Sequence, residues 1–137
     1  MISGVDGSRA TLLFNAAPGL SARVTGPYGR LVLPDVLPQR LFLLATSVGI
    51  APYLPMLEVL AEPLSRGELQ MHFMFGVRDP GEFLYATLLM GYAEKYPDFH
   101  LVICYSRQMP ATPASHDHSG YVQRYLPSAL KSHRVVF

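Results

Sequence analysis

The chain has 137 residues, 50% of them hydrophobic and 15% charged, with a formal net charge of +1. That length fits one domain with a real core, and that balance excludes a disordered tail and a nucleic-acid surface built on a basic stripe. The one cysteine, Cys104, excludes an internal disulfide framework and a cysteine-based metal cluster, and no apolar run reaches the roughly 20 residues of a membrane span.

Met1-Ile2-Ser3-Gly4 has neither the basic nor the apolar region of a signal peptide. With a lone thiol, the expected compartment is the reducing cytoplasm. A mean hydropathy of +0.21 predicts an apolar face that packs against another segment or a second copy, so a homodimer is one expectation.

In chain order, residues 1–8 are rich in Gly and Ser and read as a loop. Thr11 to Ala17 reads as a short helix ended by Pro18-Gly19. Ser21 to Thr25 and Arg30 to Leu33 are expected to be strands joined by the turn Gly26-Pro27-Tyr28-Gly29, with a linker over 34–38. Leu41–Thr46 is a continuous apolar run that suits a buried strand. Tyr53–Ala61 reads as a helix running towards Leu64, Leu69–Gly76 as a strand, Glu82–Lys95 as a helix and His100–Tyr105 as a third strand. Ser106–Ser119 is a polar loop, Tyr121–Leu130 a short helix kinked at Pro127, and Arg134–Phe137 the start of a fourth strand. Strand–helix alternation predicts an α/β fold: a doubly wound parallel sheet with right-handed crossovers, covered on both faces. The expected division is 1–38 and 39–137, with no internal repeat.

In such folds ligands bind at the C-terminal ends of the strands. The first strand end is Thr46-Ser47-Val48-Gly49-Ile50-Ala51-Pro52. Its residues are small enough for a ligand to approach the backbone, and a helix begins beside it. Such a corner favours a pyrophosphate. The second end carries Arg78, whose guanidinium suits bidentate phosphate binding, or else pairs with Asp79 or Glu82 as a surface ion pair. The third carries Ser106 and Arg107, a hydroxyl and a guanidinium placed for a phosphate monoester. Arg124 stands one helical turn beyond Gly120 as a second basic residue. Tyr121 is expected either to stack on an adenine or to pack as an amphipathic helix residue. His116-Asp117-His118 lacks a third ligand and reads as solvated loop, so no metal is expected. Cys104 reads as a buried inert thiol, and Met56, Met71, Met74 and Met90 as core filler.

Leu41–Leu57 resembles the nicotinamide-binding corner of the ferredoxin–NADP reductase superfamily. The usual pattern there is Ala-Thr/Gly-Gly-Thr-Gly-Ile-Ala-Pro, then a Pro-Met-Leu helix. Gly49-Ile50-Ala51-Pro52 and Pro55-Met56-Leu57 are intact, while Ser47 and Val48 replace Gly and Thr. Ser47 is expected to narrow the pocket if its φ is positive. Gly76-Val77-Arg78 with Glu82-Phe83-Leu84-Tyr85 resembles the family's Gly-x-Arg…Glu-Leu-x-Tyr segment, which implies Arg78 on phosphate and Glu82 and Tyr85 as helix anchors. Ser106-Arg107 resembles the pair that holds the adenosine 2′-phosphate in NADP-dependent members, with Gln108 in place of the usual Glu. Pro18-Gly19, Val24 and Gly26–Gly29 resemble the last part of the family's flavin-binding barrel. The flavin signature Arg-x-Tyr-Ser/Thr and the closing Cys-Gly segment are absent, so the sequence reads as a piece of a longer reductase.

The resemblance implies an NAD(P)H-dependent flavin oxidoreductase module, incomplete for turnover by itself and most like the bacterial ferredoxin/flavodoxin–NADP reductases. Thr46 and Ser47 would lie at the nicotinamide, as the catalytic positions. Gly49, Ile50, Ala51 and Pro52 would lie on the pyrophosphate, and Arg78, Ser106, Arg107 and Tyr121 towards the phosphates and adenosine. The implied cofactors are NADP(H), favoured over NAD(H), and FAD held mainly by regions outside this sequence. The implied partners are an FAD-binding domain and, as electron acceptor, ferredoxin, flavodoxin or an oxygenase. Two rivals stand beside this: a nucleotide-binding or interaction domain without turnover, and an NADH-dependent reductase component of an oxygenase.

Overall fold

A computed structural model describes residues 11, 13, 15–26 and 28–126. The chain divides after Val32 into two units. In the first, Thr11 and Leu13 are helical, and the Asn15 N–H donates to the Thr11 carbonyl at 3.0 Å. The strands expected at Ser21–Thr25 and Arg30–Leu33 are absent: the described residues of 21–33 carry no strand. Val24 is 90% exposed and Tyr28 84%. Alternation alone predicts a hairpin there, but two strands with no further sheet or covered face are marginal in water.

The second unit holds the sheet. Its strands are β1 (Arg40–Thr46), β2 (Gln70–Val77), β3 (Phe99–Tyr105) and β4 (Asp117–Ser119). They lie in the order β1-β2-β3-β4, all parallel. Helix α1 (Tyr53–Ser65) joins β1 to β2, and α2 (Ala86–Lys95) joins β2 to β3. Leu43, Phe73 and Leu101 stand side by side in register. Together with Ala45, Met71, Phe75 and Ile103 they form one sheet face, packed in a single core with Leu57, Leu60 and Leu64 of α1 and Leu89 of α2. Aromatic rings tie the layers together: Tyr53 meets Phe73 edge-on at 5.9 Å, and the Tyr92 hydroxyl of α2 donates to the Leu57 carbonyl of α1 at 3.1 Å.

Sequential parallel strands with right-handed crossovers step in one direction, which puts both connecting helices on the same face. The expected covering of both faces is therefore only half met by the described residues. On the opposite face, Met74 and Cys104 pack under Val122, Tyr125 and Leu126 near the C-terminal edge. Nearer the other edge, Phe42, His72 and His100 stack side by side, with ring centroids 4.5 and 4.7 Å apart. Desolvation, then the neighbouring His100 and Arg40, hold the His72 imidazole below its ordinary value, so it resists protonation.

Two elements depart from expectation. Helix α2 begins at Ala86 rather than Glu82, because Pro80–Glu82 forms a separate 3₁₀ turn and Tyr85 adopts a left-handed φ of +58°. The expected loop over 106–119 contains β4, which pairs with Ile103–Tyr105. Asp-His-Ser has little strand propensity, so tertiary pairing makes this strand. The kink at Pro127 and the strand at Arg134–Phe137 lie outside the described residues. Among the described residues no helix is long and apolar enough to cross a membrane.

Candidate functional site

The C-terminal ends of β1, β2 and β3 open into one cleft of about 290 Å³. It brings together Thr46, Ser47, Arg78, Ser106 and Tyr121 from widely separated parts of the sequence. Gly76, Val77, Cys104, Val122 and Gln123 also line it, none of them expected from the sequence as a binding residue. Gly76 is the most informative of them. A Cβ at this position would meet Thr46 Cγ2 at 3.0 Å and Val122 Cβ at 3.8 Å, so the missing side chain is what keeps the floor open. The signal was available, as an isolated Gly closing an apolar strand marks a close approach.

The first corner is built by a 3₁₀ turn over Ser47–Ile50. Ile50 is fully buried and anchors the turn in the core, so its side chain does not reach the cleft. Gly49, Ala51 and Pro52 also lie outside the cleft lining, and space beside Gly49 is open. The corner is poorer in donors than a helix N-terminus ordinarily is. Pro52 and Pro55 carry no N–H, the Ala51 N–H goes to the Val48 carbonyl at 3.1 Å, and the Leu54 N–H goes to Ala51 at 3.4 Å. The Tyr53 hydroxyl fixes the corner by donating to the Leu44 carbonyl at 3.0 Å, and burial raises its pKa.

The second and third strand ends are stitched to each other. The Ser106 N–H donates to the Val77 carbonyl at 2.9 Å, and the Ser106 hydroxyl reaches the same oxygen at 3.3 Å. The Arg107 and Gln108 N–H groups both donate to the Arg78 carbonyl. Arg107 itself lies outside the cleft lining. Gly120, at φ +109°, donates its N–H to the Tyr105 carbonyl at 2.8 Å and turns the chain so that Tyr121 stands over the cleft. Tyr121 is 62% exposed and is not part of the buried core. Arg124 Nη1 comes within 3.6 Å of where a Gly120 Cβ would stand, placing that second cation on the rim.

Charge in the cleft centres on Arg78 and Glu82. The guanidinium is ion-paired with the Glu82 carboxylate, one of the two acidic partners the sequence offered it beside phosphate. Glu82, expected as a helix anchor, stands instead in the 3₁₀ turn and lines the cleft. The hydrogen bond from Arg78 holds the Glu82 carboxyl below the usual carboxylate range, and the same bond raises the Arg78 pKa. Cys104 forms part of the floor as an apolar thiol, its pKa pushed up to about 11 by burial. His116 Nε2 lies 3.7 Å from Asp117 Oδ1, and His118 stacks on Tyr125. Among the described residues no group of three His, Cys, Asp or Glu side chains is placed to hold a metal ion.

The family model for the oxidoreductase NAD-binding domain matches residues 43–133, which covers all three strand ends and the cleft between them. This chain belongs to that family. Its NAD-binding domain is of the ferredoxin reductase type. It is 31% identical over 121 residues to the electron transfer component of toluate 1,2-dioxygenase from Pseudomonas putida, covering 88% of this chain and 34% of that protein. It is 30% identical over 92 residues to the reductase component of propane 2-monooxygenase from Rhodococcus jostii (strain RHA1), covering 66% of this chain and 24% of that protein. The fold is like that of the Amycolatopsis cytochrome P450 reductase GcoB, with a TM-score of 0.58 and 24% identity over 76% of this chain and 32% of that one. The chain thus spans about a third or less of the length of each of these proteins.

One residue of this NAD-binding domain departs from its family's pattern at a cost. Ser47 sits at φ +47°, in the left-handed region where glycine is free and other residues are strained. That geometry meets the condition under which the serine narrows the corner. Left-handed backbone costs a non-glycine residue about 1–2 kcal/mol, against which glycine loses about 0.5–1 kcal/mol of extra chain entropy on folding. Ser47→Gly is therefore expected to raise stability by up to about 1.5 kcal/mol in urea unfolding. A loss of stability would show that the Ser47 side chain makes a compensating contact.

Proposed function

We propose that this NAD-binding domain serves the reductase component of an oxygenase system, taking NAD(P)H in the cleft at the C-terminal edge of the sheet. The observation that carries the reading is the convergence of Thr46, Ser47, Arg78, Ser106 and Tyr121 on one cleft floored by Gly76. A side chain at Gly76 would fill this floor, so the residues present fit a flat ligand lying against the backbone. Similarity to the electron transfer component of a dioxygenase and the reductase component of a monooxygenase favours an oxygenase as the downstream acceptor over flavodoxin.

In this reading Thr46 and Ser47 border the nicotinamide, and Gly49, Ala51 and Pro52 stay clear of the cleft, with open space beside Gly49 for the pyrophosphate. Arg78 contacts phosphate. Ser106, Arg107 and rim residue Arg124 take the adenosine end and favour NADPH, and Tyr121 offers its ring to the adenine. When bound, the nicotinamide supplies a hydride to an FAD held by a neighbouring domain, to which the first unit, residues 1–32, contributes. The chain's own part is binding and orientation, and no side chain in the cleft needs to move a proton.

Calorimetric titration with 2′-phospho-AMP and with 5′-AMP tests this. Binding of both, tighter for the 2′-phosphate, is the expected result. Tighter binding of 5′-AMP moves the cofactor to NADH and keeps the domain's role. Binding of neither overturns the reading.

A further inference from the structure

Glu82 closes a ring of contacts around Arg78. Its Oε2 accepts from the Arg78 main-chain N–H at 3.3 Å, and its Oε1 accepts from the Arg78 guanidinium. The turn that carries it is tied down on both sides. The Gly81 N–H donates to Asp79 Oδ1 at 3.0 Å, the Glu82 N–H to the Asp79 carbonyl at 3.1 Å, and the Phe83 N–H to the Pro80 carbonyl at 3.2 Å. The carboxylate is therefore fixed by its backbone, whereas the guanidinium meets it from a long, exposed side chain. Both line the cleft, and the positive charge of Arg107 also acts on Glu82.

A carboxylate and a phosphate ask the same thing of a guanidinium: two parallel N–H donors in one plane. Arg78 Nη2, the donor that both paired edges of its guanidinium share, is turned to Glu82. A phosphate entering the cleft cannot use it without displacing the carboxylate, and once it has done so the two anions lie close together. We propose that Glu82 is an internal competitor for the nucleotide phosphate at Arg78, a residue that limits how much negative charge the cleft accepts. The inference rests on the nucleotide-binding reading above. Its effect grows with ligand charge, being larger for 2′-phospho-AMP, with two phosphomonoesters, than for 5′-AMP, with one. The residue on the turn after β2 thus opposes the preference that Ser106 and Arg107 provide at the end of β3.

The test is a titration of the chain and its Glu82→Gln variant with both nucleotides. Glutamine keeps the shape and one acceptor oxygen but loses the charge. The variant is expected to bind about three- to tenfold more tightly, as fits one close like charge near a water-filled surface. The gain is expected to be larger for 2′-phospho-AMP, to shrink at about 0.5 M salt and to vanish when Arg78→Ala is added. Unchanged or weaker binding in Glu82→Gln, with the wild type binding normally, overturns the inference and makes Glu82 a support for Arg78. A second measurement needs no variant: in the wild type with ¹³C-labelled glutamate, the Glu82 carboxylate signal must move as 2′-phospho-AMP saturates. A signal that stays in place overturns the inference even if Glu82→Gln fails to fold. If both proteins bind neither nucleotide, the inference falls together with the nucleotide reading, whereas wild-type binding without a gain in the variant sinks the inference alone.

Discussion

Gly76→Val is expected to abolish nucleotide binding and to cost about 1–3 kcal/mol of stability, the usual range for forcing extra methyl groups into a packed site. The chain around this position leaves a side chain no direction but the cleft. On one side stands Thr46 at the end of β1, with its Cγ2 3.0 Å from the site of the added Cβ. On another stands Val122, 5% exposed and packed with Met74 and Cys104. The third boundary is the Ala45 carbonyl, 3.9 Å away, which belongs to the β1 ladder and cannot yield. A branched side chain therefore grows into the open volume of the cleft. Gly76→Ala is the graded control: its single methyl group presses on Thr46 Cγ2 and makes ordinary contacts with Val122 and the Ala45 carbonyl, so it should weaken binding without abolishing it. Titration with 2′-phospho-AMP, paired with urea unfolding, separates the two effects. A valine variant that folds and binds like the wild type would place the nucleotide somewhere other than this cleft.

Gly76 also shows where sequence reading stops. The three apolar runs, their spacing and the small-residue corner after Thr46 were legible because burial on a parallel sheet forces continuous hydrophobic strands, and a tight turn forces small residues. That Arg78, Ser106 and Tyr121 stand at the ligand edge of the sheet was legible because the loops after parallel strands share one edge. What was not legible depends on neighbours distant in sequence. Nothing in Asp117-His118-Ser119 signals a strand without β3 beside it. Nothing in Ser21–Leu33 reveals that its alternating residues lack a sheet to join. Glu82 reads as a helix anchor until Tyr85 is seen in the left-handed region, where it starts α2 only at Ala86 and leaves Glu82 in a separate 3₁₀ turn facing Arg78. Ile50 belongs to the corner motif, yet its side chain serves the core rather than the cleft.

Phe73→Ala is expected to give the largest loss of stability, about 3–5 kcal/mol, because a large buried ring is removed from a place that cannot collapse. Phe73 is fully buried in the middle of β2, held edge-on by Tyr53 at 5.9 Å and stacked with Phe99 at 6.1 Å. Those partners are fixed from elsewhere: the Tyr53 hydroxyl is bonded to Leu44, and Phe99 is in register with Met71 on β3's neighbour. Neither ring can swing into the vacated volume without breaking a strand or helix contact. The comparison that gives the number meaning is Phe42→Ala, on the opposite sheet face. Phe42 is half-buried and stacked on His72, so its loss removes one partly wet contact and should cost about 1 kcal/mol. Equal losses for the two would mean that the faces are equally covered and that the one-sided packing of α1 and α2 is wrong. The Phe73 variant should also bind 2′-phospho-AMP more weakly under conditions where it stays folded. Tyr53 is the first residue of α1 and the clamp of the Thr46–Pro52 corner, so a cavity beneath its ring loosens the turn that borders the cleft. The core face and the ligand edge of this sheet are coupled through that one tyrosine.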